Sequence, residues 1–218
     1  MSDLDPPEYS ALTGGEGHPP LTTAFVSEWF MSSGVIEGAI RQGEMIPDFE
    51  LANGAGDGVS IQTLLDRGPV VITFTLGRFS PFCRRSLLDL QAGLAEIGSL
   101  GTSVVAVTPD HPAASRALGL DLGLGFDLLA DEGGRLAALF GIAYAPPVAI
   151  AHWLALIGLD EPRQWRARDI PLPATFVVTP DGIARMAFVP SDPQVRISRS
   201  QVVAALSALP PSTPAAGG

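Results

Sequence analysis

The sequence predicts an α/β fold in three layers: a mixed, mostly parallel sheet flanked by helices, with an N-terminal helical extension. Three observations predict it. The runs Pro69–Leu76 and Ser103–Thr108 are apolar and β-branched nearly throughout, as strands buried on both faces are. Each is followed by apolar residues at helical spacing, which demands parallel strands with right-handed crossovers. Late in the chain, Thr175–Thr179 and Ile183–Val189 flank Pro180-Asp181-Gly182, the pattern of an antiparallel hairpin.

The elements follow in order. Residues 1–20 hold four prolines and four acidic residues and read as a flexible leader. Residues 21–43 carry Phe25, Trp29, Phe30, Ile36 and Ile40 at mostly helical spacing, so an N-terminal helix packed on the main domain is expected. That domain is assigned to residues 44–209. Asp48–Leu51 reads as a short strand before a Gly-rich turn, and Ser60–Leu65 as one helical turn. Ser80-Pro81 opens the next helix, with Ser as N-cap and Pro at the first helical position. Leu87, Leu90, Leu94 and Ile97 give it one apolar face. A short helix over Ala113–Leu118, a strand end at Asp127–Ala130 and a helix over Arg135–Phe140 that stops at Gly141 follow. Ser200–Leu209 closes the domain as a helix, and residues 210–218 read as a disordered tail.

Composition narrows the chemistry. The 218 residues are 46% hydrophobic and 17% charged, enough to form one core without covalent staples. Cys83 is the only cysteine, which excludes an internal disulfide, a zinc ribbon, an iron–sulfur cluster and a CxxC dithiol. All 13 basic residues are Arg, so Schiff-base lysine chemistry and a P-loop are excluded. A net charge of −10 argues against nucleic acid or an anionic membrane face as partner. The acidic, polar N-terminus lacks the basic start and apolar run of a secretory signal. The most apolar window, Ile142–Leu159, is interrupted by Pro146, Pro147 and His152. A cytoplasmic protein with a free thiol is expected.

Cys83 lies three residues after the cap, in the first turn of its helix. Unpaired backbone N–H groups and the helix dipole favour a thiolate there. Arg78, Arg84 and Arg85 add positive charge within a few residues. Ser80 is placed to bond either the helix N–H groups or the sulfur.

The stretch resembles the peroxiredoxin (alkyl hydroperoxide reductase/thiol-specific antioxidant) family, whose motif is P-x-x-x-[T/S]-x-x-C. Ser80-Pro81-Phe82-Cys83 matches its second half. Gly43-Glu44-Met45-Ile46-Pro47-Asp48-Phe49 is similar to the family's G-x-x-x-P-D-F opening. Val105–Pro109 is similar to the segment after the second strand, and Leu172–Val178 with Asp181-Gly182 to the late strand and hairpin. The likeness spans about residues 43–209 and implies a thioredoxin-like fold. It is strongest to the branch carrying R-G-x-W-C-P-Y-C. That branch's first cysteine is Ser80 here, the motif Pro (or the branch's Arg) falls at Leu76, and the acidic residue often found after the cysteine is Ser86. The Arg before the late strand falls at Pro173, where thioredoxin-like proteins carry a cis-proline facing the cysteine.

The resemblance implies a one-cysteine thiol peroxidase acting on hydrogen peroxide or organic hydroperoxides through a Cys83 sulfenate. Ser80 would hold the peroxide, Arg78 or Arg84 would supply the cation, and Pro173 would face the sulfur. No cofactor and no metal are implied. The second thiol must come from outside, from thioredoxin, glutaredoxin or glutathione. Two other readings stand beside it: a non-catalytic thioredoxin-fold binding protein, and a thiol-disulfide oxidoreductase working through mixed disulfides. His18, His111 and His152 lack metal spacing. An insert over 142–170, with Trp153 and Trp165, reads as core or lid packing and could form a homodimer face. Arg163, Arg166 and Arg168 read as a solvated face, and Asp110, Asp131 and Asp181 as turn residues.

Overall fold

The computed structural model describes residues 22–147, 150–151 and 170–209. The leader, the tail, His18, His152, both insert tryptophans and the three insert arginines lie outside them.

The chain opens with helices α1 (Thr23–Ser32) and α2 (Val35–Gly38). A single helix is expected there, but the structure breaks it at Gly34, whose φ of +80° a helix cannot accommodate. Val26 and Phe30 of α1 are fully buried in the main core. The extension is therefore part of the domain's packing.

Strands β1 (Glu50–Ala52) and β2 (Gly58–Ser60) form a separate two-stranded ribbon around the Gly-rich turn. The strand expected at Asp48–Leu51 thus lies outside the central sheet. Helix α3 (Ile61–Leu65) leads into β3 (Val70–Phe74), α4 (Pro81–Ala92), α5 (Leu94–Ser99), β4 (Ser103–Thr108) and α6 (Pro112–Leu122). The apolar face expected on one long helix is divided between α4 and α5 at Gly93. Next come β5 (Asp127–Ala130) and α7 (Arg135–Leu139). A small pair, β6 (Ala143–Tyr144) and β7 (Ile170–Pro171), was not expected from the sequence. Strands β8 (Ala174–Val178) and β9 (Ala184–Phe188) and helix α8 (Arg199–Ser207) complete the chain.

The central sheet has the order β5-β4-β3-β8-β9. Strands β3, β4 and β5 are parallel, while β8 and β9 are antiparallel to their neighbours. Alternation along the strands divides the core. Val70, Ile72, Phe74, Phe176 and Val178 face one layer, with Phe30 of α1, Ile61 of α3 and Leu136 of α7. Val71 and Val177 face the other, with Leu90 of α4, Ile97 of α5 and Val202 and Leu206 of α8. Three rings anchor the first layer: Phe140 lies 4.9 Å from Phe74 and 5.0 Å from Phe176, tilted to edge-on. Truncating such a buried ring costs about 3–5 kcal/mol.

Candidate active site at the start of helix α4

The site lies beyond the carboxyl end of β3, where open α/β sheets present their ligands. Every residue of β3 is buried, and the chain then turns over Thr75–Phe79 into α4. Gly77 has a φ of +99°, and a Cβ there would come within 3.1 Å of Asp110 Oδ2. The turn needs glycine for both reasons. Ser80 caps α4: its hydroxyl oxygen accepts from the Cys83 N–H at 3.2 Å. Of the two roles open to Ser80, helix capping is the one this structure uses. Both Ser80 and Cys83 are buried, the cysteine at 1% exposure.

Two donors meet the Cys83 sulfur. The Leu76 N–H lies 3.3 Å from Sγ, and Arg196 Nη2 lies 3.0 Å from it. The arginines expected from the sequence go elsewhere. Arg78 donates its backbone N–H to Asp110 Oδ2 at 2.7 Å, and its guanidinium covers the Phe79 ring at 4.3 Å. Arg84 pairs with Asp121 at 2.6 Å. Arg85 is exposed. A carboxylate in reach competes for a guanidinium better than a buried sulfur does, because the pair forms without desolvation. The cation at the sulfur is therefore Arg196, which sequence reading missed.

A tether places Arg196. Asp89, six residues beyond Cys83 on α4, accepts from the Arg199 N–H at 2.7 Å. Six helical residues rise about 9 Å, and three extended residues span up to about 10 Å. The loop before α8 thus runs back along α4 and brings Arg196 to the sulfur. Its guanidinium is held by the carbonyls of Pro193 and Val195, at 2.6 and 2.7 Å from Nη1. The one signal available in the sequence was the capping box, Ser198 with Gln201, which fixes where α8 begins.

Among the described residues two buried side-chain polar atoms have no partner: Arg196 Nε and Tyr144 Oη. Burial pushes the Tyr144 phenol well above the usual tyrosine range, opposed by the Arg196 charge. The hydroxyl keeps its proton at any ordinary pH. Pro173 leads into β8 through a trans peptide, since no described peptide bond is cis. This corrects the expected cis-proline. The chain runs extended from β7 into β8, with the Leu172 N–H bonded to the Ile142 carbonyl at 2.7 Å. Among the described residues no group of acidic, His or Cys side chains could hold a metal ion, and no helix is long and apolar enough to cross a membrane.

A buried thiol in the first turn of the helix that follows the central strand of a mixed sheet defines a thioredoxin-like protein with one helix-start cysteine. The chain belongs to the AhpC/TSA family, whose model matches residues 42–187. It is 26% identical over 111 residues to a chloroplastic peroxiredoxin Q of Triticum aestivum, covering 51% of each chain. It is 31% identical over 101 residues to a putative peroxiredoxin bcp of Helicobacter pylori, covering 46% of this chain and 66% of that protein. The chain spans about half the length of the plant relatives it matches. The fold is also that of peroxidoxin BcpB from Mycobacterium tuberculosis, with a TM-score of 0.62, 20% identity, and coverage of 78% of this chain and 99% of that one.

Proposed function

We propose that the protein is a one-cysteine thiol peroxidase that reduces hydrogen peroxide or organic hydroperoxides through Cys83. One observation carries the reading: a buried sulfur in contact with a guanidinium. The Cys83 thiolate attacks the terminal oxygen of the hydroperoxide. The O–O bond breaks and its electron pair leaves on the other oxygen, which takes a proton to become water or an alcohol. Sulfur gains OH and is oxidised by two electrons to sulfenic acid. Arg196 offsets the charge that moves onto the departing oxygen. Arg196 Nε–H, on the guanidinium that touches the sulfur, is a buried donor without a partner, and an oxygen of the bound hydroperoxide would satisfy it. Ser80 fixes the helix start that holds the sulfur.

Turnover needs a thiol from outside, because the chain has no second cysteine. That thiol attacks the sulfenate, releasing water and leaving a mixed disulfide. A further thiol frees Cys83. Glutathione, glutaredoxin or thioredoxin fits this role in a reducing compartment such as the cytoplasm. A non-catalytic binding protein would have no use for a buried cation on its single sulfur.

The test is stoichiometric hydrogen peroxide followed by sulfenate trapping and mass spectrometry, with Cys83→Ser as control. The expected result is rapid, Cys83-dependent sulfenate. A rate no faster than that of a free small-molecule thiol overturns the proposal. Mixed disulfide with a thioredoxin in the absence of peroxide points to thiol-disulfide exchange instead.

A further inference from the structure

The turn from β3 into α4 leaves few backbone donors free. The Thr75 N–H pairs with the Val107 carbonyl, the Gly77 N–H with Thr75 Oγ1, the Arg78 N–H with Asp110 and the Ser80 N–H with the Gly77 carbonyl. Between them, the Leu76 N–H points to the Cys83 sulfur at 3.3 Å and meets no backbone acceptor. Both residues are buried, at 4% and 1% exposure, so water does not compete for that bond. The P-x-x-x-[T/S]-x-x-C motif has proline at this position, and proline carries no N–H, whereas the R-G-x-W-C-P-Y-C branch has Arg there and keeps the donor. Compared with that proline, Leu76 supplies a donor, and it is aimed at the reacting atom.

We propose that the Leu76 amide is a catalytic backbone donor, which together with Arg196 holds the Cys83 sulfur in its ionised form. The amide acts where the negative charge rests before attack, and a hydrogen bond to a charged group is worth more than one to a neutral group. Its loss lowers the thiolate fraction without touching Arg196. The chain thus reaches the reactive state with a backbone donor that the proline form of the motif lacks. This rests on the peroxidase reading for its purpose, but not for its test.

Leu76→Pro removes the N–H while keeping an apolar side chain. The preceding Thr75 follows a strand and suits the extended conformation that proline requires of its neighbour. Leu76→Ala keeps the N–H and removes most of the side chain, so it controls for packing. The readout is the pH dependence of iodoacetamide alkylation of Cys83 in the folded protein, with no peroxide present. In Leu76→Pro the profile should move to higher pH, with alkylation near pH 6 slowed about tenfold, while Leu76→Ala keeps the wild-type profile. An unchanged profile in a folded Leu76→Pro overturns the proposal. So does an equal shift in Leu76→Ala, which would assign the effect to packing. If the profile shifts as stated but no sulfenate forms with peroxide, the amide's role stands and the peroxidase reading fails. Should Leu76→Pro not fold, an amide-to-ester exchange at residue 76, which removes the N–H and keeps the leucine side chain, is titrated instead. The same shift is expected, and an unchanged profile in the folded ester overturns the proposal.

Discussion

Two loops bring arginine to the neighbourhood of α4, and they use it differently. The β3–α4 turn and the start of α4 carry Arg78 and Arg84, within five residues of the thiol in the chain, yet each is paired with a carboxylate across a partly exposed surface. The β9–α8 loop carries Arg196, 113 residues from Cys83, and puts it on the sulfur at 3.0 Å. Proximity along the chain counted for little; what counted was which carboxylates stood nearby and what tethered the loop. Asp110 and Asp121 draw the near arginines outward, whereas among the described residues no acidic side chain is paired with Arg196.

The comparison can be broken most directly by charge removal. Arg196→Gln should slow Cys83 sulfenate formation roughly 100-fold, the usual cost of one lost charge-stabilising donor. Arg78→Gln and Arg84→Gln should stay within about threefold of wild type, because exposed pairs contribute little. Stopped-flow oxidation with stoichiometric peroxide measures all three, and a loss in Arg84→Gln as large as in Arg196→Gln would reverse the assignment. The tether comes next. Asp89→Ala should slow the same reaction by about tenfold, with little further effect in an Arg196→Gln background, because positioning residues couple to what they position. Independent, additive losses would mean that Asp89 acts some other way. Ser80→Ala should lower stability by about 1 kcal/mol through the lost cap, read as a fall in the thermal midpoint. Ser80→Thr should restore most of it.

The smallest effect concerns the β8–β9 turn. The Thr179 hydroxyl, the Ile183 N–H and Arg185 hold the Asp181 carboxyl below the usual carboxylate range, the Thr179 bond most strongly. A lowered folded-state pKa stabilises the fold above the unfolded value, and that contribution is lost as pH falls through the folded one. The protection of the Ile183 amide, measured relative to its intrinsic exchange rate at each pH, should therefore fall on acidification below about pH 4, and Asp181→Asn should remove the dependence.

Much of this fold was legible from patterning, because buried strands and capped helices write their physics locally. Ser80-Pro81 announced α4, and β4 runs over Ser103–Thr108 as expected. The break at Gly34 was less visible, since apolar spacing continues past it. Strands β6 and β7 are two residues each and leave no periodicity to read. Half of the site was legible in the same way: Cys83 and Ser80 belong to one helix start. Arg196 and the Leu76 amide were not. The first depends on a contact between α8 and α4, and the second is a backbone group that no side-chain pattern reports.

The tether between Asp89 and Arg199 also sets an order of events during synthesis. Cys83 is translated 113 residues before Arg196, so the early chain carries its thiol without its cation. The guanidinium reaches the sulfur only once α8 has docked on α4. On the proposed function, full reactivity would be acquired only at the end of assembly, and a nascent or half-folded chain would meet peroxide with a cysteine still slow to react.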